Sequence, residues 1–191
     1  MNKVDHFEEL LDRVRKTASS RLFAHERLKI HVTISLWTIS FFSMGLIFTP
    51  LAQVYNFKLN YSDDYIGFMQ VVFAIVILVV SNILSMSNFS VRADRMHDCG
   101  MSLNALARKI EGAMNDKAID SYVELSDKYE ALLQRHENHA FIDYLYTKNR
   151  SSSSKLFALY IRLRFLVGFL PYIFILGIEA IWFYCLMFVS S

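Results

Sequence analysis

The chain has 191 residues, 54% of them hydrophobic and 15% aromatic, with a formal net charge of only +2. Its six glycines include no phosphate-cradling pattern, which leaves nucleotide hydrolysis without support, and its two cysteines are too few for a disulfide scaffold. The length leaves room for one membrane unit and one small helical region outside it.

Residues 1–31 are charged and polar, and Phe7, Leu10, Leu11, Val14, Ala18 and Leu28 fall near helical spacing. The spacing predicts an amphipathic cytoplasmic helix, with Arg13, Arg15, Lys16, Arg21 and Arg27 spread over its remaining face. Such a helix either lies on an anionic leaflet, where each basic residue contributes about 1 kcal/mol, or packs on other helices with its basic face in water. The segment lacks the short apolar core of a cleavable signal, so the mature chain is expected to start at Met1.

Residues 32–91 predict a transmembrane hairpin. Val32 to Phe57 and Tyr65 to Val91 carry no charged side chain, and each exceeds the roughly 20 residues needed to cross the hydrocarbon core. Soluble helices keep a polar face, and these runs have no charge to place on one. The first span holds the hydroxyls of Thr33, Ser35, Thr38, Ser40 and Ser43, which can bond back to their own helix.

In the second span Gln70, Ala74, Ser81, Ser85, Asn88 and Arg92 fall within a sector of roughly 60° if a helix advances about 100° per residue. Polar side chains in hydrocarbon seek neighbouring helices or water, so this stripe either hydrogen-bonds between helices or lines a wet path. Three helices cannot enclose a water column, so a path requires a homo-oligomer. Arg92 and Arg95 would then flank its cytoplasmic mouth or anchor to headgroups.

Residues 92–146 predict a cytoplasmic antiparallel helix pair. The second span is expected to continue unbroken to about residue 111, with Met96, Cys99, Leu103, Leu106 and Ile110 three and four apart. A second helix, about 117–136, presents Ile119, Tyr122, Ser126, Tyr129 and Leu133 on one side. One apolar stripe per helix buries little, so the pair needs the N-terminal helix or further copies to complete a core. Repacking of this pair, through Met96, Leu103, Leu106, Ile110, Tyr122 and Tyr129, is the expected coupling route to the spans. His136 and His139 lie three apart around Glu137, but two imidazoles make an incomplete zinc site. The other histidines are scattered, and no metal or cofactor is expected.

Residues 147–164 read as a serine-rich linker and basic flank. Residues 165–191 form a third span, interrupted by Glu179 and expected to kink at Pro171. A carboxylate inside a span costs on the order of 3 kcal/mol by insertion scales, so Glu179 either lines the path, meets a basic partner or sits near the interface. Cys99 and Cys185 fall in different environments, and no bridge between them is expected. Basic residues before the first span and after the second, against one lysine and two aspartates in the hairpin at 58–64, place the N-terminus and residues 92–164 in the cytoplasm. The C-terminus then lies outside. The aromatics concentrate in and beside the spans as interfacial belts, so direct nucleic-acid binding is not expected.

Arg15 to Arg27 ahead of a two-span hairpin, the stretch Ile83 to Ala93, and Glu137 to His139 followed by Asp143 and Tyr144 together resemble the SLATT family over about residues 10–150. These are two-span membrane effectors associated with nucleotide-sensing and reverse-transcriptase defence systems of prokaryotes. The resemblance implies a non-enzymatic effector of the bacterial inner membrane that forms a pore or disrupts the bilayer, killing or arresting an infected cell. A reverse transcriptase or nucleotide-second-messenger partner would supply the signal, and the third span is an addition to the two-span pattern. The alternative is a non-conducting membrane anchor that recruits a cytoplasmic defence partner. The expected architecture is all-α: a transmembrane hairpin, a third C-terminal span and a cytoplasmic helical bundle.

Overall fold

The computed structural model describes residues 3–55, 57, 59–115, 121–138, 140–150 and 155–188. They form seven helices and, among the described residues, no strand: α1 (Lys3–Val54), α2 (Asp63–Met86), α3 (Phe89–Asn115), α4 (Tyr122–Arg135), α5 (Phe141–Arg150), α6 (Lys155–Val167) and α7 (Leu170–Phe188). The chain divides into two compact units, residues 1–29 with 90–165 and residues 30–89 with 166–191.

The first unit is a water-type bundle, in which α3 and α4 pack against the N-terminal part of α1. Its core holds Phe7, Leu10, Val14 and Ala18 of α1 with Cys99, Leu103, Leu106, Ala107 and Ile110 of α3 and Leu125 of α4. The three-four spacing in α3 thus buries one continuous face, and the N-terminal helix supplies the third wall that two stripes lacked. Gly100 permits close approach: a Cβ there would lie 2.8 Å from the Leu22 side chain. Ion pairs such as Lys16–Asp12 are exposed on the outside and contribute little.

Two basic residues of α1 depart from the expected solvated face. Arg21 is fully buried, bonded to the carbonyl of Glu137 and 3.4 Å from the Met96 sulfur. Arg27 clasps Asp143, whose side chain is fully buried. Their long side chains reach tertiary partners that amphipathic spacing cannot reveal.

The linker expected at 147–164 is largely helical. α5 continues through residue 150 and α6 begins at Lys155, while serines 151–154 lie outside the described residues. The first turn of α5 is fixed by Asp143, which accepts a hydrogen bond from Ala140 N at 2.9 Å, so the helix has a firm start. Ile119 and His139 also lie outside the described residues.

The second unit contains the remainder of α1, α2 and α7. α1, α7 and the segment that includes α2 are long and apolar enough to cross a membrane. Phe42, Ile66, Phe73, Trp182 and Leu186 make its core, with the Phe42 and Phe73 rings edge-on at 5.5 Å. Asn60 N donates to Leu186 O at 3.2 Å, so the α1–α2 hairpin and the C-terminal end of α7 occupy the same end of this unit. As expected, the buried first-span hydroxyls bond back: Ser35 to Val32 O and Thr38 to Ile34 O, both at 2.8 Å.

Two breaks replace expected continuity. The second span does not run on as one helix: Ser87 and Asn88 form a turn, with Asn88 at φ 47°. Asparagine tolerates this left-handed conformation, and here its side chain bonds Met86 O while Ser87 bonds Ile83 O, both local alternatives to the helix ladder. The third hydrophobic stretch likewise breaks at residues 168–169. Pro171 therefore sits in the first turn of α7, where its missing N–H costs no helical bond, and is not a mid-span kink.

Candidate functional site

The polar residues predicted along the second span are placed by α2, whose entry is fixed by the Ser62 side chain accepting from Tyr65 N and by Asp63 and Asp64 in the first turn. Gln70 Nε2 donates to Gln53 Oε1 at 3.3 Å, and Gln53 Nε2 donates to Asp63 Oδ1 at 3.0 Å. This end of the stripe is therefore a helix-to-helix hydrogen-bonded chain. Farther along, Ser81 Oγ donates to Leu78 O at 3.0 Å, leaving its lone pairs free, and Ser85 is exposed.

Asn88 is in the turn, so the helical phase that aligned Arg92 with the stripe is reset before α3 begins. Arg92 belongs to the other unit, where Nε lies 3.2 Å from Glu137 Oε1. Glu179 is also held apart from the stripe. It faces α1 at Gly45, so closely that a Cβ on that glycine would collide with the carboxylate. The surrounding cleft, about 310 Å³, is apolar otherwise, with Phe41, Met44, Phe48 and Phe183 among its walls and no lining residue from α2.

Of the coupling residues expected in the first unit, Leu103, Leu106 and Ile110 meet in one core on which Tyr122 and Tyr129 pack. Met96 is buried outside that cluster, with its sulfur against the Arg21 guanidinium. Tyr122 lies edge-on to Phe7 at 5.3 Å, and the Tyr129 hydroxyl is 2.9 Å from Thr17 Oγ1.

Sequence reading missed three arrangements. The Arg27–Asp143 pair joins residues 116 positions apart. His25 and His97, scattered in the chain, lie with ring centroids 4.8 Å apart and planes tilted by 49°, lining a cleft of about 350 Å³ that also includes Glu26 and Tyr146. Asn82, one position from the stripe, stands exposed on α2; its neighbours Leu78 and Val79 are similarly exposed.

Burial separates the candidate spans. Only 6% of the most apolar window in the α2 segment is buried, against 28% in α1 and 22% in α7. In the second unit α2 is the least covered helix, and its polar residues lie beside a large free surface.

These features define an all-α membrane protein. The chain belongs to the SLATT family 5, described as the SMODS and SLOG-associating 2TM effector domain family 5, whose family model matches residues 4–189. Membership implies a membrane effector role in defence systems, and the family is not a known enzyme family. The matched region is longer than the expected 10–150 and takes in α7, so the third apolar helix belongs to the matched domain. No curated protein and no solved structure matches the chain.

Proposed function

We propose that this effector acts by assembling a homo-oligomeric pore in the bacterial inner membrane, lined by Ser81 and Ser85 with Gln70 and Asn88 towards its two ends. The observation that carries the reading is the sparse cover of α2, whose polar stripe borders a free surface in the single chain. Arg92 is held by Glu137 and Glu179 lies against Gly45, so the minimal lining needs neither. The N-terminus and residues 92–164 lie in the cytoplasm, where basic residues concentrate.

A cytoplasmic signal reaches the lining through the chain itself. α3 follows α2 through the Ser87–Asn88 turn, so rearrangement of the core around Leu103 and Ile110 changes the torque on that turn. A reverse transcriptase or nucleotide second-messenger system supplies that signal, and death or arrest of the infected cell follows from lost ion gradients. The test is to activate the protein in bacteria while following membrane potential and dye entry. Depolarisation supports conduction; an unchanged potential leaves a membrane anchor that recruits a defence partner.

A further inference from the structure

α2 carries a second pattern beside the polar stripe. Phe68, Val71, Ile75, Leu78 and Asn82 follow one another at spacings of three, four, three and four residues. This is the seam of a left-handed coiled coil. All five are exposed. At about 100° per residue the seam is centred roughly 160° from the face of Ile66, Phe73 and Ile77 that packs within the unit, so it looks away from α1 and α7.

Asn82 makes the pattern informative. Its carboxamide forms no hydrogen bond among the described residues. It lies inside the uncharged run from Tyr65 to Val91, where hydrocarbon offers neither donor nor acceptor and an unpaired amide is costly. A carboxamide has two donors and an accepting oxygen, so it complements a second copy of itself. Copies inserted in one orientation bring Asn82 to the same depth, and a lone asparagine in such a seam fixes register and partner number.

We propose that α2 pairs in parallel with α2 of a second copy through this seam, the two Asn82 side chains hydrogen-bonding to each other. The inference rests on the oligomeric membrane effector described above and names the contact between its subunits. The seam's centre lies about 95° from the Gln70 to Asn88 stripe, so pairing leaves Ser81 uncovered between the seam and the subunit's own helices, with Ser85 at the edge of the contact.

Disulfide cross-linking of the full chain in bacterial membranes tests this, in a background with Cys99→Ser and Cys185→Ser. Ile75→Cys and Leu78→Cys should give oxidised dimers, while Val76→Cys, about 120° round the wheel from the seam's centre, should stay at background. Adding Asn82→Leu to the Leu78→Cys chain should lower dimer formation about three- to tenfold, and Asn82→Gln, which keeps the carboxamide, should restore most of it. Leucine favours insertion, so carbonate extraction should show both variants in the membrane fraction. Equal cross-linking at Val76, or dimers indifferent to Asn82→Leu, would overturn the seam. Seam cross-links without depolarisation would retain this contact and remove conduction; depolarisation without seam cross-links would do the reverse.

Discussion

Arg27 and Asp143 form a two-pronged ion pair, Nε to Oδ1 at 2.9 Å and Nη2 to Oδ2 at 3.1 Å, with the aspartate fully buried. Oδ2 also accepts from Ala140 N, so one carboxylate both starts α5 and fastens it to α1. Removing one partner of a buried pair leaves a charge without compensation. Arg27→Ala should therefore cost about 3–5 kcal/mol, read as an earlier helix-melting transition of the detergent-solubilised protein. Stability matching the parent would mean the pair does not hold α5.

Gly100 is the position where α3 comes close to α1. A side chain there meets Leu22, and behind it the Ala18 carbonyl at 3.5 Å. Gly100→Leu should destabilise the first unit by about 1–3 kcal/mol through overpacking, while Gly112→Ala, which has open space around it, should be tolerated. Thermal melts of the two variants side by side check the contrast.

Cys99 gives the pH dependence. Burial pushes its thiol above the ordinary range, and Arg21 opposes this only partly. The folded state thus holds a proton that the unfolded chain releases, so this contribution to stability is complete below the ordinary thiol pKa and declines as pH rises through and above it. Maleimide should label Cys99 slowly in the folded protein and rapidly after unfolding. Rapid labelling of the native protein near neutral pH would show that the α1–α3 core opens freely.

The spans and the α3 core were legible because each is written in one local pattern, an uncharged run or a three-four alternation. Arg21 and Arg27 were not, since a charge on an amphipathic helix reads as solvated until a carbonyl or carboxylate far along the chain is brought to it. The Asn88 turn escaped because hydrophobicity continues across it, although serine and asparagine together carried a faint signal for local backbone bonding. Gly168 similarly marked the break ahead of α7. For the site, the polar stripe could be counted on a wheel, but that wheel assumed an unbroken helix and therefore misaligned Arg92. Asn82 stood outside the chosen sector, and only the exposure of its face gave it meaning.

The proposed lining makes a sharp demand on two hydroxyls. Ser81→Leu with Ser85→Leu leaves α2 apolar and its insertion intact, while replacing the wetted groups with side chains that repel water. Activated cells carrying this double variant should keep their dye exclusion even though the protein remains in the membrane fraction.

The most direct measurement is membrane potential in cells expressing the activated wild-type chain beside that double variant at equal membrane abundance. The account predicts collapse of the potential with the wild type and a preserved potential with the variant. Collapse with both would contradict the α2 lining, and collapse with neither would contradict conduction itself.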